Sequence, residues 1–180
     1  MNAMPWVNIV LGLLAIVIGW WMVRRGGART AYEKWLPVEL RKAELKFAEQ
    51  TFRIRRPIGL IARADRGYFL DGKIRLAEFK TRAGNRVYSS DVIELSAQRM
   101  AIEMSTGDKV SKVGYIFIQD PSGKKRSAQR VQLMGKYALM TVAWRREGIL
   151  SGAIEPRYAE SAGLCRQCEF RKECRPDFRG

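Results

Sequence analysis

The chain contains no histidine. That excludes Ser–His and Cys–His nucleophile pairs, a histidine general base and histidine metal ligands. Acid–base or metal work is left to Asp, Glu, Lys and Cys. Cysteine is scarce: three residues, Cys165, Cys168 and Cys174, all near the C-terminus. An odd, tight cluster does not build a disulfide framework and suits a reducing compartment. Acid is in deficit, with 18 Asp and Glu against 33 Lys and Arg, a net charge of +15 at pH 7. Such a balance attracts polyanions, either nucleic acid or an anionic membrane face. No internal repeat is present. At 180 residues and 47% hydrophobic, the chain suits one domain with accessories and a real core.

The segment WVNIVLGLLAIVIGWWMV, residues 6–23, carries no charge. As a helix it would span roughly 27 Å, close to the hydrocarbon thickness of a bilayer. Trp6 and Trp20–Trp21 lie where interfacial aromatics belong, and Arg24 and Arg25 follow at once. No basic n-region or small-residue cleavage site marks a signal peptide. The pattern predicts a transmembrane anchor over 1–25, single-pass, with the N-terminus out and the remainder cytoplasmic. A buried core helix is the alternative reading. Residues 26–34 read as a linker.

Residues 38–50 hold good helix formers after Pro37, yet ELKFAEQTF also fits a strand, so both assignments stay open. IGLIARADRGYFL and KIRLAEFKTR read as strands joined by Asp71-Gly72. DVIELSAQRMAIEMS reads as a helix, with Asp91 placed as N-cap and Glu94 as its reciprocal partner. KVGYIFIQD and RVQLM are two further strands, and GKYALMTVAWRREGIL a second helix. This order predicts an α/β domain with a mixed central sheet flanked by helices over 35–160, preceded by the transmembrane helix and followed by a Cys-containing tail, 161–180.

Asp-Gly favours a two-residue type I′ hairpin loop. Leu70 then opposes Lys73, and counting outward Asp65 lands opposite Glu78 and Arg63 opposite Lys80. Opposed residues share a face with Cβ atoms about 4.5–5.5 Å apart, and so do residues two apart. One face therefore presents Asp65, Glu78 and Lys80. Facing carboxylates repel unless a divalent cation, Mg²⁺ or Mn²⁺, lies between them. Such a cation can lower the pKa of a bound water and neutralise phosphoryl charge. Lys80 could assist that water or stabilise the transition state. A solvated charged hairpin is the plainer reading of the same residues.

GLIARADRGYFLDGKIRLAEFKTR followed by SSDVIELSAQRMAIE resembles the PD-(D/E)XK nuclease superfamily, in particular the RecB-like branch that includes CRISPR-adaptation exonucleases. The resemblance covers roughly residues 40–118 plus the tail, and implies a restriction-endonuclease-like fold. It makes Asp65 and Glu78 the metal-binding acids, Lys80 the catalytic lysine and Gln98 the helical glutamine beside the site. Ala64 stands where the branch has the Pro of its name, and Ile102 where it often has Tyr. The branch also carries an upstream His or Glu. Without histidine a Glu must serve; Glu44 is the first choice, because on a helix it falls amid an apolar arc, with Glu49 and Glu39 as alternatives.

In the same branch a C-terminal cysteine trio with one distant Cys resembles the ligands of a 4Fe–4S cluster. Cys165, Cys168 and Cys174 can converge on one centre, either such a cluster or zinc, but no fourth Cys exists. A non-Cys ligand such as Asp177, a labile cluster, or a relic trio packed as ordinary residues all remain open. GKKRSAQR, residues 123–130, is a basic loop without aromatics, suited to phosphate contacts or simply to solvent. The expected function is a membrane-tethered, metal-dependent DNA nuclease hydrolysing phosphodiester bonds. The alternatives are an inactive nucleic-acid-binding module on the cytoplasmic membrane face and, less fittingly, a membrane-bound redox protein using the trio.

Overall fold

The computed structural model describes residues 35–124 and 126–156, together with Leu11, Leu13, Leu14, Gly163 and Arg166. The chain divides into two compact units, Met1–Leu139 and Met140–Gly180. The first holds a five-stranded sheet in sequence order: β1 (Glu44–Ile54), β2 (Leu60–Leu70), β3 (Lys73–Thr81), β4 (Val113–Gln119) and β5 (Arg126–Gln132). Helix α1 (Ser89–Thr106) connects β3 to β4, which run parallel; the other neighbours are antiparallel. Helix α2 (Lys136–Leu150) runs from the first unit into the second. In that unit it ends in a turn in which the Ile154 N–H donates to the Gly148 carbonyl at 2.9 Å. An α/β architecture with a mixed central sheet and helices is thus present, as expected.

The Asp-Gly loop forms as the dipeptide predicts. Asp71 and Gly72 both take positive φ, 51° and 72°, and Leu70 pairs with Lys73. Pairs continue outward to Arg66–Ala77. Alternation along β3 sends Ile74 and Leu76 into a core shared with Leu95, Ala101 and Ile102 of α1. Ala77 and Phe79 point to the opposite face, where Leu36, Leu40, Tyr115 and Phe117 form a second core. There Phe79 stacks on Phe117 at 4.8 Å between ring centres, and Trp35 meets both rings edge-on.

The open assignment at 38–50 resolves as a short 3₁₀ turn, Val38–Leu40, followed by strand β1. The strand's period is hard to read because it breaks at Glu49, which has φ of 53°. Phe47 and Phe52, an odd and an even position, both pack against the α1-side core. A matching break occurs on β2. Ala62 and Ala64 lie in that core, whereas Arg66 reaches over the Phe79 ring and Tyr68 lies in the second core. Both strands exchange faces at one level, that of Glu49 and Asp65.

Two smaller expectations change. Strand β5 starts at Arg126, so much of the basic loop is strand. At the start of α1, Asp91 is not the N-cap. It sits three residues in and its carboxylate accepts the Tyr88 N–H at 2.8 Å.

The membrane expectation is corrected more broadly. Among the described residues no helix is long and apolar enough to cross a membrane. A span needs about 20 apolar residues; α1 has 18 and includes Asp91, Glu94, Arg99 and Glu103, while α2 has 15 with Lys136, Arg145, Arg146 and Glu147. The transmembrane helix expected within 1–25, with the single-pass topology and cytoplasmic placement derived from it, finds no support among the described residues. Segment 6–23 lies outside the described residues except for Leu11, Leu13 and Leu14, which are helical and exposed. The cysteines of the tail also lie outside them.

Candidate active site

The β2–β3 ladder stops one pair short of Asp65 and Glu78. Beyond that point β3 continues to Thr81, paired on its other side with β4 from Ala77–Tyr115 to Thr81–Gln119. Where a next rung would use backbone from β2, the Asp65 side chain takes over. Its Oδ2 accepts the Phe79 N–H at 2.8 Å. The strands part here, and the acids stand at the mouth of the fork. Glu78 and Lys80, two and four residues beyond Leu76, lie on the α1 face of β3.

Helix α1 supplies the rest. Gln98 Nε2 donates to Glu78 Oε2 at 2.7 Å and to the Arg63 carbonyl at 3.1 Å. Both partners are acceptors, which fixes the amide orientation. Gln98 Oε1 is buried and has no hydrogen-bond donor among the described residues. The Lys80 ammonium sits 2.8 Å from Glu78 Oε1 and 2.6 Å from Glu94 Oε2. Arg82, the residue just past β3, grips both oxygens of Asp91 at 3.0 and 2.9 Å and ties the start of α1 to the end of the strand.

Burial raises the pKa of Asp65, and the charges of Glu49 and Glu94 add to it; the Phe79 N–H and Lys80 offset part. Glu78, 4% exposed, is raised by burial and by the charges of Asp65 and Glu94, against the hydrogen bonds from Lys80 and Gln98. Burial pulls Lys80 down, but its bonds to Glu78 and Glu94 outweigh that and its pKa rises. Asp91 goes the other way. Burial would raise it, yet the Arg82 guanidinium and the Tyr88 N–H hold it below the usual carboxylate range.

Asp65, Glu78, Lys80 and Gln98 are therefore brought together. Glu44 is not with them. It pairs with Phe69 at the start of β1 and is exposed, so the apolar arc that singled it out does not exist. Glu49 lies between the pairs Ala48–Arg66 and Gln50–Ala64, level with Asp65, and its carboxylate binds Arg63 at 2.6 Å. Glu94 meets Lys80 rather than capping the helix; its spacing of four from Gln98 is the sequence signal that both look at one strand. Asp65 and Glu78 are the side chains able to offer oxygens to a hard cation. No group of three or more His, Cys, Asp or Glu side chains able to hold a metal ion is present among the described residues.

An α/β chain with a mixed five-stranded sheet and a carboxylate–lysine cluster where two strands part is the class that fold and site define. No protein-family model matches the chain, and no curated protein matches it. Among solved structures it is similar to one designated SSO0001, at 14% identity and a TM-score of 0.43, over 73% of this chain and 57% of that one. It is also similar to an Eubacterium rectale protein provisionally named an exonuclease, at 15% identity and a TM-score of 0.46, over 72% of this chain and 52% of that one. The chain spans little more than half the length of either.

Proposed function

We propose that the chain is a divalent-metal-dependent nuclease of the PD-(D/E)XK type that hydrolyses phosphodiester bonds in DNA. The observation that carries this reading is a pair of raised-pKa carboxylates, the half-buried Asp65 and the buried Glu78, at a strand fork beside Lys80. Even with Lys80 and Gln98 on Glu78 and the Phe79 N–H on Asp65, both acids stay raised, a cost that a cation joining them would reverse. Hard carboxylate oxygens suit Mg²⁺ or Mn²⁺, and the partnerless Gln98 Oε1 marks a spot where a polar neighbour is wanted. When bound, the cation would supply an acidified water and neutralise phosphoryl charge.

The chain's own residues do the rest. The Phe79 N–H and Gln98 hold the two carboxylates in place. Lys80, its proton held by two acids, is better suited to meet a phosphate oxygen as an ammonium than to act as a general base. Glu49 replaces Glu44 as the upstream acid in this reading, on its position beside Asp65. The net charge of +15 favours a polyanionic substrate. At the tail, Cys165, Cys168 and Cys174 are proposed as ligands of a 4Fe–4S cluster or zinc; protein purified anaerobically that contains neither metal removes that proposal.

The test is cleavage of labelled DNA by the full chain with Mn²⁺, beside Glu78→Ala and Lys80→Ala. Cleavage abolished in both variants is the expected result. Cleavage that survives them, or wild type that binds DNA without cutting it, sinks the catalytic reading; the latter leaves a binding module.

A further inference from the structure

We propose that Glu94 is a positioning residue of this site, drawing the Lys80 ammonium off Glu78 so that Glu78 stays open to a divalent cation. The inference rests on the metal-nuclease reading above. It starts from a match of repeats. Two residues of strand advance about 6.6 Å and four residues of helix about 6.0 Å. Helix α1 runs over β3 so that Gln98 meets Glu78 and Glu94 meets Lys80. One repeat further, Ile102 and Leu76 lie in the same core. The same helix face therefore goes from Glu94 to Gln98 to Ile102 as the strand goes from Lys80 to Glu78 to Leu76, from half-exposed ion pair to buried amide to apolar core.

Along that face Gln98 occupies Glu78 Oε2, which leaves Oε1 for a cation. In the structure it is Lys80 that touches Oε1, at 2.8 Å, while Glu94 holds the same ammonium more closely, at 2.6 Å. Lysine and metal compete for one oxygen, and Glu94 is the acceptor that gives Lys80 somewhere else to go. Its side chain is 47% exposed against 5% for Glu78, so Lys80 can swing outward to it while the cation takes its place on the buried Glu78. Without Glu94, Lys80 has Glu78 as its remaining carboxylate partner and shuts the site.

The experiment is calorimetric titration of Mn²⁺ into the full chain, with Glu94→Ala, Glu94→Gln, Lys80→Met and the double variant Lys80→Met/Glu94→Ala. Glu94→Ala is expected to weaken Mn²⁺ binding by about fivefold or more. Glu94→Gln, which keeps an oxygen acceptor, recovers most of it. In the Lys80→Met background, with no ammonium to divert, removing Glu94 changes binding by less than about twofold. Cleavage follows suit: the Mn²⁺ concentration for half-maximal rate rises in Glu94→Ala while the rate at saturating Mn²⁺ holds. An effect equal in both backgrounds means Glu94 acts through its charge alone and overturns the inference, as does unaltered binding in Glu94→Ala. Wild type that takes up no Mn²⁺ overturns the metal reading itself, and the inference with it.

Discussion

Asp65 shows what a half-buried carboxylate costs even with a backbone N–H on it. Its pKa lies above the ordinary value mainly because of burial. Below that ordinary value both folded and unfolded forms are protonated; as pH rises through the window up to the raised folded pKa, stability is lost. Asp65→Asn is therefore expected to melt higher than wild type at pH 7 without metal, with the gap closing toward pH 4. A melting series checks it, at about 2–4 °C per kcal/mol for a chain of this size. Mn²⁺ should raise the melting temperature of wild type and not of Asp65→Asn. Asp91 has the opposite sign. Its depressed pKa contributes stability above the unfolded value, lost as pH falls through the folded one. Arg82→Ala strands that buried carboxylate and is expected to cost about 3 kcal/mol by chemical denaturation at pH 7; a loss under about 0.5 kcal/mol would count against the brace. Among single residues the sequence was most informative where chemistry and spacing coincide. With no histidine, attention falls on Asp65, Glu78 and Lys80, and the Asp-Gly turn fixes their phase. Glu49 was harder to favour, because its importance comes from a backbone angle rather than from its neighbours in sequence.

Elements tell a similar story about phase. The hairpin from Arg66 to Ala77 was legible from its two-residue turn. Strand β1 was not, since its apolar positions switch parity at Glu49 and leave a pattern between periods of two and 3.6. Gly67 pairs with Phe47, just past the point where the β1–β2 register shifts between Leu45 and Phe47. A Cβ there would overlap the Phe47 ring, which packs beside Phe52 at 5.2 Å. Gly67→Ala should force the ring off its seat and destabilise by about 1–3 kcal/mol, measured by urea denaturation, and Phe47→Leu in the same chain should recover part of the loss. If Gly67→Ala is neutral, the close approach is not holding β1 on β2. The sequence pattern puts the start of α1 three residues late because Asp91 and Glu94 fit a capping box, whereas each has a cationic partner at the end of β3, Arg82 just past the strand and Lys80 on it.

At the scale of the whole molecule, charge was legible and location was not. A net +15 predicts DNA binding that weakens steeply with salt. Each phosphate neutralised contributes about −0.9 to the slope of log K against log salt. Fluorescence anisotropy with Glu78→Gln, which should bind without cutting, is expected to give a slope of several units; a slope near zero would argue against a polyanion partner. The apolar run at 6–23 invited a membrane reading from composition, but among the described residues no helix is long and apolar enough to span. One bond in the fork makes the site observable from outside. The Phe79 amide is tied to a side chain rather than to a neighbouring strand, so its hydrogen exchange follows the fate of one carboxylate. If a cation draws Asp65 away, that amide should lose protection while Ile74, bonded backbone to backbone with Lys109, keeps its own. A single slow proton would then report occupancy in a chain whose ligand has no colour.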